Sequence, residues 1–278
     1  MIYLALAIVS SMLVSVTMRL SERRVHNNIS MLAMNYLMCT ALSAVFAGTA
    51  DFFPRAEGIG FACLLGVISG ALYLGSFMLL QWNIRVNGVV LPATFMKLGV
   101  LVPTVLSIVL FHEQPKLMQL LGMAGAVCAI LLIGLDKGQS RARSSAGLVA
   151  LLLGGGITDA TSKFYEEWGT AALENHFLLY TFAVALLLCA LLAIARGQRL
   201  TLADAGFGLL IGVPNYFSAR FLLLSLSSVP AVAAYPTYSV GTIVLVTLLG
   251  ALLFSERLSR RQQAAMGLIL VSLVLLNI

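Results

Sequence analysis

Three ionisable side chains stand inside apolar stretches of this chain. Lys97 lies in VVLPATFMKLGVLVPTVL, Asp159 in GGGITDATSKF and Arg220 in NYFSARFLLL. A charge at bilayer depth costs about 2.5–3.5 kcal/mol on insertion scales, so such residues are expected to serve a site or a pair. The Lys97 ammonium suits an anionic group, or a proton that exchanges as a solute comes and goes. It sits roughly 15 Å along its helix, too deep to snorkel easily. Arg220 offers a second cation. Asp159 falls at a depth similar to that of Arg220, which predicts a structural or gating ion pair between them or a direct solute contact. Asp159 also stands four residues before Lys163, within reach on one helical face. Tyr36, Tyr73, Tyr216, Tyr238 and Asn215 are the further candidates for solute binding, because rings and amides suit a mostly apolar pocket with a few polar groups. Glu113 and Glu256 lie at helix ends beside loops, where capping and turn formation are the expected roles.

The elements that must position these residues are membrane helices. The chain has 278 residues, 60% hydrophobic and 10% charged, with a mean hydropathy of +0.99. A soluble domain carries about 25% charged residues. Long, unalternating apolar runs exclude barrel strands, and open sheets cannot span lipid. At about 20 residues per span, helices are expected near 2–19, 29–48, 58–81, 88–111, 117–135, 146–165, 173–195, 203–226, 231–254 and 261–278. The first is read as a retained helix and not as a cleaved signal. The connections are all short.

Basic residues alternate between the two sets of loops. Connections 1–2, 3–4, 5–6, 7–8 and 9–10 hold Arg19, Arg23, Arg24, Arg85, Lys137, Arg141, Arg143, Arg196, Arg199, Arg257, Arg260 and Arg261, whereas the other side holds Arg55, Lys116 and Lys163. The positive-inside rule then predicts an inner-membrane, multi-pass protein with both termini outside the cytoplasm. The net charge of +6 is spread over these loops without interleaved aromatics, which argues against nucleic-acid binding. Cys39, Cys63, Cys128 and Cys189 stand singly, with no metal-ligand spacing. His26, His112 and His176 lie near loops, and no HExxH, GxSxG or phosphate-loop motif occurs, so neither an enzyme nor a cofactor is expected.

The chain matches itself at an offset of 143 residues. Tyr73 meets Tyr216, Thr94 meets Thr237, Thr104 meets Thr247, Gln119 meets Gln262, and LFHE (110–113) meets LFSE (253–256). Two five-helix halves, 1–140 and 141–278, are predicted. Five being odd, the second half enters the membrane inverted, as in many secondary transporters. Lys97 falls opposite Val240 and Arg220 opposite Phe77, so neither charge is required by the repeated scaffold.

The run LFSERLSRRQQAAMGLILVSLVLL, with Glu113, Gln119 and Gly122 in the first half and Glu256, Gln262 and Gly267 in the second, resembles the EamA-type, ten-helix branch of the drug/metabolite transporter superfamily. The spacing to Gly122 differs from that to Gly267. The resemblance implies an all-α membrane fold of two inverted repeats and secondary active transport of a small organic solute across the lipid bilayer. A coupling proton or counter-solute is a further expected partner, and the oligomeric state, monomer or homodimer, is left open by the sequence. Members of this branch usually keep both termini cytoplasmic, and the charge pattern here departs from that. The positively charged interior points to a solute with an anionic or zwitterionic group. Two other outcomes remain open at this stage: a flippase for a lipid-linked headgroup, and an exporter of amino acids or drugs.

Overall fold

A computed structural model describes residues 1–21, 24–48, 52–87, 90–134, 144–254 and 260–278. Eleven α-helices and one 3₁₀ turn make up the architecture, with no strand among the described residues: α1 (Ile2–Ser21), α2 (Asn28–Ala47), α3 (Ile59–Asn87), α4 (Val90–Leu98), α5 (Leu101–Leu110), α6 (Leu117–Gly134), α7 (Ser145–Trp168), α8 (Glu174–Ala195), α9 (Leu202–Leu226), α10 (Ala231–Phe254) and α11 (Arg260–Leu276). Among the described residues, seven segments are long and apolar enough to cross a membrane, with α4 and α5 counting together as Leu91–Leu110. Helices α6 and α11 contain shorter apolar stretches. Helix α7 is long enough but carries Asp159, Lys163, Glu166 and Glu167. The protein is a multi-pass, all-helical membrane protein. The expected boundary at 140/141 lies outside the described residues, as does Glu256.

Helix α2 packs along α8 and α9, α3 along α7 and α8, and α1 along α9 and α10. Helix α7 lies against α4 and α5, α6 against α11, and α10 against α5 and α11. The connections gather into two faces. On one, Asn27 donates to the Arg199 carbonyl, and the Asp204 carboxylate accepts from the amides of His26 and Thr201 in a capping box that starts α9. The Asn87 side chain on the same set of connections ties α3 to Ser144, the N-cap of α7. On the other face, Thr170 donates to the Glu57 carbonyl, Tyr180 to the Phe52 carbonyl, and Lys116 to a terminal oxygen of Ile278. Among the described residues, Arg24, Arg85, Arg196 and Arg199 thus fall with the first set of connections and the C-terminus with the second.

The fourth expected helix, 88–111, is not continuous. Residues Gly99 and Val100 form a turn between α4 and α5. Proline 103 explains the position of the break: it has no N–H to give the carbonyl four residues back, and its ring crowds that carbonyl. That carbonyl belongs to Gly99. It accepts instead from Val102 at 2.9 Å, and the Gly99 amide is shared between the carbonyls of Phe95 and Met96. The opened turn is filled by α7. A Cβ on Gly156 would lie 2.4 Å from the Gly99 carbonyl oxygen and 2.5 Å from the Val102 side chain, and a Cβ on Gly99 would lie 3.1 Å from the Leu152 carbonyl. Two glycines let the broken helix and α7 touch backbone to backbone, as small residues do in membrane packing.

This contact can be tested by adding one methyl group. Gly156→Ala should push α7 off the break and lower the melting temperature of detergent-purified protein by several degrees. Gly75→Ala, whose Cβ meets nothing within 4 Å, should be neutral or slightly stabilising, since alanine is the better helix former. Equal melting temperatures for Gly156→Ala and wild type would contradict the packing described.

Candidate functional site

The last turn of α4, just before the break, faces the inside of the bundle. There a cavity of about 440 Å³ is enclosed by α2, α3, α4, α7 and α10. Lys97 lines it from the last turn of α4. The C-terminal end of a helix carries the negative end of its dipole, which favours a cation there. Asp159 lines the cavity from α7, three residues beyond the Gly156 contact. Although it lies inside the bundle, Asp159 is exposed, and Lys97 is half-buried. Their exposure is to the cavity.

Lys97 and Asp159 feel each other's charge. Among the described residues no ion pair joins them, the salt bridges being those of Lys163. Around them stand Tyr36, Tyr73, Tyr235 and Tyr238, with Ser76, Thr158 and Ser239 adding hydroxyls. Tyr36 and Tyr73 meet edge to face at 6.2 Å. The Tyr235 hydroxyl donates to the Asp159 backbone carbonyl at 3.0 Å, which fixes α10 against α7 while leaving the Asp159 carboxylate uncommitted. Tyr238 shares a 2.8 Å hydrogen bond with Ser218. Phe77, Leu80, Ile84, Met96 and Val100 supply the apolar wall.

Of the residues expected from sequence to bind solute, Lys97, Tyr36, Tyr73 and Tyr238 line this cavity; Arg220, Tyr216 and Asn215 do not. The expected Asp159–Arg220 pair is not formed. The Arg220 guanidinium stacks 4.2 Å from the Phe46 ring centre and donates to the Tyr216 hydroxyl at 2.8 Å. Similar depth did not bring the two residues together, because α9 turns Arg220 toward α2. Tyr216 is fully buried among Phe46, Phe182 and Phe217. Asn215 binds the Asn35 side chain in the α2–α9 contact. The local Asp159–Lys163 pair is also absent, since Lys163 is engaged elsewhere. Sequence reasoning missed Ser76 and Thr158, whose hydroxyls bond across α3 and α7 at 3.0 Å. A signal was there: Ser69 and Ser76 are two turns apart on α3, and Ser69 in turn meets Thr161 at 2.9 Å, giving a polar seam between the two helices.

One turn of α10 before the cavity-lining Tyr235 lies a charged hub. Glu113 follows His112, whose φ of +54° turns the chain back after α5. Its two carboxylate oxygens accept from the amides of Ala231 and Val232, each at 3.0 Å, and so cap the start of α10. Such a carboxylate satisfies orphan donors and sits at the positive end of the helix dipole. Lys163 reaches Glu113 from α7 at 3.1 Å and also holds Glu166 and Glu167. Its ammonium lies 5.5 Å from the centre of the Phe111 ring, which packs with Phe164 and Trp168. Tyr235 and Val232, each 1% exposed, close the space beneath. In the opposite direction the lining runs to Ile84 near the end of α3 and to exposed Ala93 near the start of α4. The cavity therefore extends toward the face that carries the basic loops.

The Small Multidrug Resistance protein family matches residues 176–269, about a third of the chain, from the first turn of α8 into α11. An uncharacterized protein of Haemophilus influenzae is 25% identical over 273 residues, covering 92% of this chain and 91% of that one. A protein crystal structure superposes with a TM-score of 0.75 over 99% of this chain and 94% of the other at 14% identity, a likeness of fold. Together with the apolar helices, the family match points to a membrane transporter of small solutes.

The hub gives a pH prediction. Burial alone would raise the Glu113 carboxyl, but the Val232 and Ala231 amides and the Lys163 ammonium hold the group below its ordinary 4.5. A carboxyl depressed in the folded state stabilises above its unfolded value, and that stabilisation is lost as pH falls through the folded value. Glu113→Gln should destabilise by about 1–3 kcal/mol near neutral pH, on the scale of a lost buried charged hydrogen bond. It should also flatten the decline of melting temperature below about pH 4.5. An unchanged acid limb in the variant would remove Glu113 from this role.

Proposed function

We propose that the protein is a secondary transporter that carries a small organic solute with an anionic group through the Lys97–Asp159 cavity. The observation that carries this reading is a lysine inside a membrane-length apolar segment, beside a helix break, lining a cavity of about 440 Å³ with no direct ion-pair partner among the described residues. Charges in such positions mark solute or ion pathways, and broken helices at the midplane are where transporters build their sites.

Alternating access accounts for the rest. Ten crossings in two five-helix halves, residues 1–140 and 141–278, form the proposed frame. The packing pattern supports it, because exchanging the halves maps contacts onto contacts. The α2–α9 contact exchanges with α3–α8, α1–α9 with α3–α7, α1–α10 with α7 against α4 and α5, and α4–α6 with α10–α11; α2–α8 and α6–α11 map onto themselves. Two halves of equivalent packing can rock between states of similar energy. The present state is then open toward the basic loops and closed at the Glu113 hub. With those loops on the cytoplasmic side, it is the inward-open state and both termini lie outside.

Flux into proteoliposomes tests the reading. Small carboxylates should cross in a saturable manner, with and without an imposed proton gradient to detect coupling. Lys97→Ala should reduce that flux at least about tenfold, the loss expected for one charged contact. Equal flux through the variant and wild type across the carboxylates would overturn the assignment.

A further inference from the structure

Helices α3 and α7 come from different halves of the proposed frame, yet hydrogen bonds fasten them along their shared length. We infer that these two helices form one rigid body that keeps its internal contact while the protein exchanges its two mouths, and that the movement falls on the α1–α9 contact, the counterpart of α3–α7 in the exchange of halves. The inference rests on the transporter reading and its two-half frame, and deepens it by naming which of two equivalent contacts gives way.

Three observations carry it. The first is a polar seam. Ser69, Ser76, Asn83 and Asn87 follow one another on α3 at helical spacing and so share one face. Ser69 shares a 2.9 Å hydrogen bond with Thr161, and Ser76 one of 3.0 Å with Thr158. The Asn83 side-chain amide donates to the Gly147 carbonyl at 3.0 Å. At the end near the basic loops, Asn87 donates to the Ser144 carbonyl at 3.2 Å and accepts from the Ser144 amide at 2.9 Å. All four α3 residues are buried. A seam bond broken by sliding or splaying would leave its groups without water to replace it.

The second observation is that the counterpart contact has no such seam to build. At the 143-residue offset the four α3 positions fall on Gly212, Ala219, Leu226 and Pro230, none of which has a polar side-chain group. On α1 the counterparts of Thr161, Gly147 and Ser144 are Met18, Leu4 and Met1. Ser15, opposite Thr158, donates to the Ser11 carbonyl of its own helix. Leu4, Ala7, Leu222 and Leu226 pack there instead, with a 3.4 Å bond from Ser218 to the Ala7 carbonyl. Apolar burial is non-directional, so such a contact can shift without breaking a ladder of bonds. The third observation is what the body carries. Helix α3 supplies Tyr73 and Ser76 to the cavity, and α7 supplies Thr158 and Asp159. Helix α7 also holds the break beside Lys97 through Gly156 and Gly99. One body thus keeps the site in register while the rest rocks around it, as alternating access requires.

The test reads exchange between the two states without any solute. In a background lacking Cys39, Cys63, Cys128 and Cys189, Lys97→Cys serves as reporter in oriented vesicles. Its slow modification by an impermeant thiol reagent from the side away from the basic loops measures excursions to the other state. Two locks are added in turn: Ser69→Cys with Thr161→Cys across the seam, and Ala7→Cys with Ser218→Cys across α1–α9. Copper phenanthroline closes each pair, and mass spectrometry confirms the bridge and the free thiol at position 97. The seam lock should leave the far-side rate within about twofold of the unlocked protein, and the α1–α9 lock should lower it at least about tenfold, because only the second restrains the exchange. Circular dichroism and gel filtration check folding; Asn87→Cys with Ser144→Cys, at the other end of the seam, replaces the first pair if that variant fails. A tenfold loss under the seam lock would overturn the inference. So would an unchanged rate under the α1–α9 lock, or no far-side modification of the unlocked protein. Carboxylate flux and its sensitivity to Lys97→Ala test the transporter reading separately, which keeps the two failures apart.

Discussion

The backbone contact between Gly99 and Gly156 is the constraint on which the site depends. Pro103 opens the fourth membrane segment at Gly99, whose carbonyl accepts from Val102 in place of the missing proline N–H. Helix α7 covers the opened turn, and only glycine at 156 permits the approach. Lys97 lies two residues before the break and Asp159 three residues after the contact. One crossing point therefore fixes both charged side chains on a common cavity. Neither charge could be placed there by helix propensity alone; their positions follow from where two glycines meet.

The same helices connect the cavity to its closed end. Asp159 and Lys163 are one turn apart on α7, and Tyr235 is one turn into α10 from the amides that Glu113 caps. Movement of α7 against α10 must disturb both the hub and the cavity wall. A closed end held by several charged hydrogen bonds, and an opposite end lined by Ile84, Ala93 and Met96, give one bundle two unlike mouths. In the proposed cycle, solute binding between Lys97 and Asp159 would supply differential free energy to exchange them, as any ligand-driven shift requires.

Much of this was readable from residue types. The composition fixes a helical membrane protein, and Lys97, singled out by its place inside an apolar segment, lines the cavity. Its repeat partner, Val240, is fully buried in the structure, so the scaffold tolerates an apolar side chain at that position. The position of Glu113 at a helix end predicts capping, although the helix it caps is α10, which sequence position does not reveal. What failed was pairing. Depth along a helix says nothing about azimuth, so Asp159 was matched with Arg220 when the facing cation is Lys97. Tyr216 and Asn215 were counted as cavity residues on their chemistry, and both are spent in the α2–α9 contact. Pro103 was visible as a kink signal, but a full break needs α7 to cover the opened turn, and that is a tertiary fact.

The most direct test of the central claim is aqueous access to position 97. In a variant lacking Cys39, Cys63, Cys128 and Cys189, a single Lys97→Cys substitution can be probed with a membrane-impermeant, charged thiol reagent applied to one side of oriented vesicles at a time. The account predicts rapid modification from the side of the basic loops and slow modification from the other, with Val240→Cys, buried in the same background, unreactive from both. Resistance of Lys97→Cys to the reagent from either side would show that no water-filled path reaches the residue, and would contradict the account.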